Sequence, residues 1–137
     1  MQRPFFAIAA IIVLSTASYW TTLAQTQPPH VIAVNAKKYE FMPSEIHVKQ
    51  GEKVELRVHS LDVTHGIKLD LYPEGAKSNG APGLVFDQPD ANGKVQKGED
   101  QVLDFTAQEP GTYDFKCARI CGMGHGRMKG KLIVDPS

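Results

Sequence analysis

The sequence predicts an all-β domain, a sandwich or barrel of short antiparallel strands, behind an apolar N-terminal segment. Three observations predict it. Short runs alternate apolar and polar residues with a period of two, as half-buried strands do. Glycine and proline punctuate those runs, as in Gly51-Glu52 and Pro110-Gly111. No helical period of useful length follows residue 30.

The elements follow in order. Arg3 and the free amine precede an apolar run from Phe5 to Leu14, and Thr22-Leu23-Ala24 offers small residues for a signal peptidase. Tyr19 and Trp20 equally suit a membrane interface, so residues 1–24 read as a cleaved signal peptide or a single N-terminal membrane anchor. Either places the folded part outside the cytoplasm, in a periplasmic or other extracytoplasmic compartment. Residues 25–30 form a polar, proline-containing linker, and residues 31–137 form one domain. Within it, Val31 to Asn35 reads as the first strand. Ile46 and Val48 mark the second, and Val54, Leu56 and Val58 the third. Leu103 and Phe105, then Tyr113 and Phe115, then Leu132 to Val134 mark three more. Residues 70–98 break the rhythm with five glycines and three prolines. They read as a long surface loop, with room for one short strand at Leu84 to Phe86.

Composition narrows the function. The chain has 137 residues, 42% apolar and 22% charged, which suits a single globular domain. Lys and Arg number 15 and so do Asp and Glu, giving no net charge. No basic excess exists to neutralise phosphates, so nucleic-acid binding is disfavoured. No phosphate-cradling loop and no nucleophilic arrangement separate from the cysteines occurs, so neither hydrolysis nor group transfer is indicated.

The chemistry lies in Cys117-Ala118-Arg119-Ile120-Cys121-Gly122-Met123-Gly124-His125-Gly126-Arg127-Met128. Two thiolates, an imidazole and a thioether fall within twelve residues between two expected strands. That soft, mixed donor set suits copper in an electron-transfer site. His65, placed just after an earlier strand in Asp62-Val63-Thr64-His65-Gly66, supplies a further strong donor. A blue single-copper site needs one Cys, two His and a weak axial Met. Cys117 is surplus to that set. Two thiolates four residues apart can instead bridge a pair of copper ions. Each ion then takes one imidazole and one weak ligand: a thioether for one, a backbone carbonyl between the cysteines for the other.

The spacing Cys-x3-Cys-x3-His-x2-Met, with Cys121-Gly122-x-Gly124-His125 inside it, an upstream His65-Gly66 and Glu109-Pro110-Gly111-Thr112-Tyr113 before it, resembles the CuA domain of cytochrome c oxidase subunit II. The resemblance covers residues 31–134. It implies a cupredoxin-like Greek-key sandwich and a binuclear CuA centre of two copper ions. By position it implies bridging by Cys117 and Cys121, terminal imidazoles from His65 and His125, an axial Met128 and a carbonyl from Arg119. It pairs His65 with Met128 on one ion, and His125 with the Arg119 carbonyl on the other. It also implies partners: a cytochrome c or cupredoxin as electron donor, and a haem–copper oxidase subunit or other reductase as acceptor. The chain itself would be an electron carrier rather than a catalyst. Four departures stand out. Arg119 occupies a position where many subunits II carry a Glu that helps hold magnesium, so no such magnesium site is expected. A single apolar segment replaces the usual helix hairpin. The only tryptophan is Trp20. The 70–98 segment looks long.

Other readings remain open at this level. One reading joins Cys117 and Cys121 as a disulfide, as paired cysteines of exported proteins often are. A mononuclear cupredoxin would use His65, Cys121, His125 and Met128. An exported copper carrier, or a zinc site of two Cys and two His, would use overlapping donors. Met123 reads as a loop residue, and His47 and His59 as solvated side chains on polar strand faces. Asp87, Asp90, Glu99 and Asp100 are interrupted by Lys94 and Lys97, leaving only a diluted acidic surface for a basic cytochrome.

Overall fold

The structure, a computed structural model, describes residues 27–76, 80–89 and 91–137. The expectations for residues 1–24 lie outside them. Among the described residues, no helix is long and apolar enough to cross a membrane.

The described residues form ten strands in two five-stranded sheets. They are β1 (His30–Lys37), β2 (Glu40–Met42), β3 (Glu45–Lys49), β4 (Lys53–Ser60), β5 (His65–Leu69), β6 (Leu84–Phe86), β7 (Asn92–Val95), β8 (Asp100–Ala107), β9 (Gly111–Lys116) and β10 (Lys129–Asp135). The first sheet runs β2-β1-β4-β8-β6 and the second β3-β10-β9-β5-β7. A short 3-10 turn, His125–Arg127, sits between β9 and β10.

Period-two alternation explains the layers. In β4, Val54, Leu56, Val58 and Ser60 are buried while their neighbours face outward. Leu103, Phe105 and Ala107 of β8 meet the same core, as do Tyr113 and Phe115 of β9 and Leu132 and Val134 of β10. Each such Val, Leu or Phe stabilises the sandwich by roughly 1.5–3 kcal/mol. Phe41 and Phe115 meet edge to face at 5.3 Å across the sheets, the arrangement aromatic quadrupoles favour. Tyr113 buries its ring and donates its hydroxyl to the Glu109 carbonyl at 2.7 Å. Burial, reinforced by the Glu109 charge, pushes that phenol up to about 12, so it stays a donor.

The all-β expectation holds, with two corrections. The sheets are mixed rather than antiparallel: β1 pairs with β4 and β3 with β10 in parallel. The segment after β2 carries the chain from the first sheet to the second, so β3 cannot fold back on its predecessor. Parallel pairs need such crossovers. The long loop expected over 70–98 also holds a second strand: β6 forms at Leu84–Phe86 as expected, and β7 forms as well. β7 closes the edge beside β5, with His65 opposite Val95 and Gly66 opposite Lys94.

Candidate metal centre

The candidate donors converge at one end of the sandwich. His65 opens β5, Cys117 follows β9 directly, and Met128 directly precedes β10. These three sit at strand ends, where the flanking ladders fix the backbone. Cys121 and His125 ride on the intervening loop. The loop is closed by the Cys117 N–H donating to the Met128 carbonyl at 3.0 Å.

The geometry is close. Cys117 and Cys121 are free thiols, with their sulfurs 3.8 Å apart. The disulfide reading therefore fails for this structure, since a bonded pair lies near 2.05 Å. Cys121 Sγ is 4.0 Å from His125 Nδ1 and 3.9 Å from Met128 Sδ. Cys117 Sγ is 3.1 Å from the Arg119 carbonyl oxygen. Donor atoms of His65, Cys117 and Cys121 all lie within 4.8 Å of one another. All six residues named from the sequence thus contribute to one cluster. The Arg119 side chain itself is exposed.

His65 is wholly buried, at 0% exposure. Its Nε2–H donates to Asp62 Oδ1 at 2.6 Å. The same oxygen accepts the Val63 N–H at 2.7 Å, and Oδ2 accepts the Lys38 N–H at 2.8 Å. Partial burial raises the Asp62 pKa, but the hydrogen bonds from Lys38, His65 and Val63 outweigh it and hold the carboxyl below its ordinary value. An ionised Asp62 fixes the proton on Nε2, leaving a bare lone pair on Nδ1. That Nδ1 is buried and has no hydrogen-bond partner among the described residues. A buried polar atom without a partner demands an explanation, and a metal ion facing the two sulfurs supplies one. Burial, then the hydrogen bond and charge of Cys117, push the Cys121 thiol up to about 11. Metal uptake at that sulfur displaces its proton.

Two further residues shape the site, and sequence reasoning missed them. Tyr39, in the turn between β1 and β2, lays its ring on the ligand loop: a Cβ at Gly124 would come within 2.3 Å of it, and one at Gly122 within 2.6 Å of its hydroxyl. Gly66 lets the 118–119 backbone approach β5, since a Cβ there would meet Arg119 N at 3.2 Å. Asp62 stood three residues before His65 in the sequence; Tyr39 gave no local signal. Met123 is fully exposed, as a loop residue should be, and His47 and His59 lie away from the cluster against carboxylates.

This two-sheet fold with donors at one end defines a class: residues 6–134 match the cupredoxin-like domain, and the chain belongs to that family. Within it, the chain is a relative of cytochrome c oxidase subunit 2. It is 29% identical to that protein of Thermus thermophilus over 113 residues, 82% of this chain and 71% of the relative. In fold it is similar to a chain of a heme-copper terminal oxidase dimer, with TM-score 0.57 and 24% identity over 77% of this chain and 65% of that one. It is equally similar to auracyanin A, a "blue" copper protein from Chloroflexus aurantiacus, with TM-score 0.58 and 22% identity over 79% of this chain and all of the other.

Proposed function

We propose that this cupredoxin-type copper electron-transfer protein carries a binuclear CuA-type centre. One observation carries the reading: two unlinked buried sulfurs 3.8 Å apart. That gap is shorter than twice a metal–thiolate bond of about 2.3 Å, the zinc value, so both sulfurs can bind the same ion, and two ions can share both. His65, His125, Met128 and the Arg119 carbonyl are then the terminal ligands. Bound copper would supply one-electron redox chemistry, with the charge shared over both ions. The protein holds the imidazole of His65 by Asp62, holds the loop by Tyr39, and excludes water from the sulfurs. A fixed donor set changes little in geometry between oxidation states, which favours fast transfer. The chain acts outside the cytoplasm, exported or anchored through residues 1–24. It takes electrons from a cytochrome c or cupredoxin and passes them to an oxidase-type subunit or other reductase, as the relation to subunit 2 supports.

Metal analysis of the protein loaded anaerobically with copper tests this. Two coppers per chain are expected. A single copper with intense blue colour would support the alternative, a mononuclear centre of His65, Cys121, His125 and Met128. The likeness to a "blue" copper protein favours that alternative, but it leaves the Cys117 sulfur idle beside the cluster.

A further inference from the structure

The outer face of the second sheet carries a row of like charges. β10, β9 and β5 lie side by side there. Lys129 is registered opposite Lys116, and Lys116 opposite Lys68. All three are exposed, while the next residues along each strand, Gly130, Phe115 and Leu69, are buried. Nearby on the same face, Lys94 of β7 is registered opposite Gly66. The Arg119 stem packs on that glycine, its Cγ 3.1 Å from where a Cβ would stand. Lys94 and Arg119 line one open recess.

None of these five cations has a carboxylate within ion-pairing distance among the described residues. Lys131 on β10 differs, being paired with Glu74 at 2.6 Å and Asp114 at 3.7 Å. Like charges facing each other across neighbouring strands repel. The whole chain carries no net charge, so the strip is a segregation of charge and not an excess. Its repulsion is relieved by anions from outside.

We propose that this basic strip docks the electron-transfer partner through an acidic protein face. The proposal rests on the electron-transfer reading and names the partner's chemistry. Position supports it. Lys116 immediately precedes Cys117, Lys129 immediately follows Met128, and Arg119 offers its carbonyl 3.1 Å from the Cys117 sulfur. An acidic face seated on the strip therefore lies against both ends of the ligand loop. Ile120, 89% exposed, and Met123 provide apolar contact beside it, which a protein surface can match alongside its carboxylates. Two of the acidic residues that could instead attract a basic cytochrome are matched internally: Asp87 pairs with Lys53 at 3.0 Å and Asp100 with His59 at 2.6 Å.

The test titrates the full chain, metal-free and copper-loaded, with an acidic c-type cytochrome, a basic c-type cytochrome and phosphatidylglycerol vesicles. Each titration is run at ionic strengths of about 0.01 M and about 0.15 M, where screening differs strongly. The acidic cytochrome should bind both forms, more weakly at the higher salt. The triple variant Lys68→Gln, Lys116→Gln, Lys129→Gln should bind it about tenfold or more weakly, with an unchanged circular dichroism spectrum and an equal or higher melting temperature. Tighter binding of the basic cytochrome, binding by neither cytochrome, vesicle binding alone, or a triple variant that binds like the parent would overturn the proposal. Because the metal-free protein is included, failure here is separable from a wrong copper count.

Discussion

The candidate centre has two unlike halves. His65, Cys117 and Met128 are buried and sit at the ends of β5, β9 and β10. His125 is half-exposed on a 3-10 turn, flanked by Ile120 and Met123 in solvent. The first half is set by the same ladders that hold the sandwich together. The second is set by a loop on which the Tyr39 ring packs. The difference teaches a division of labour. The buried half fixes donor positions and keeps water out. The exposed half brings one imidazole edge to the surface, where, under the proposed function, an electron would cross to a partner.

The largest expected effect comes from the buried half. Cys117→Ser should reduce copper from two per chain to one or none and abolish the binuclear spectrum, measured by metal analysis and absorption. A mononuclear centre would survive it unchanged. Asp62→Asn comes next. The neutral amide offers one acceptor oxygen where the Lys38 and Val63 N–H groups and His65 need two. Copper affinity should fall about 10–100-fold, the usual consequence of losing a ligand's orienting partner, in competition with a chelator.

On the exposed side, Gly124→Ala drives a methyl into the Tyr39 ring. It should cost about 1–3 kcal/mol in denaturant unfolding and broaden the copper spectrum. Gly126→Ala, which meets open space, should change little. The smallest effect lies far from the centre. His47 bridges Glu45 on its own strand and Asp135 on β10 at 3.2 Å each. Hydrogen bonds to Glu45 and then Asp135 raise its pKa above the ordinary value. Its contribution is full below the unfolded value of about 6.5 and is lost as pH rises through the higher folded value. The side chain is exposed, so His47→Gln should only flatten a slight fall in melting temperature between mildly acidic and mildly alkaline pH.

The sequence made the two halves legible to different degrees. The candidate donors that converge here were readable because their chemistry is carried by residue type and spacing. The supports were not, because Asp62, Tyr39 and Gly66 act through space, and Tyr39 lies far from the ligand loop in the chain. The strands rich in Val, Leu and Phe were readable from alternation. β5 was missed: His65 does follow the strand of Val54 to Val58, but it also opens a strand of its own. There the inward positions are His65, Ile67 and Leu69, and a histidine in an apolar slot hides the alternation. β7 was missed because Asn92-Gly93-Lys94-Val95 reads as a turn, and only pairing with β5 makes it a strand. β2 contributes a single inward residue, Phe41, too little for any period. Parallel pairing was invisible because alternation reports which face is buried, never which neighbour is paired.

Electron paramagnetic resonance of the oxidised, copper-loaded protein reports how the two sulfurs are shared. A sulfur-bridged pair should give hyperfine structure from one unpaired electron spread equally over two copper nuclei. Hyperfine structure from a single copper nucleus, with Cys117 free to react with a thiol reagent, would contradict it.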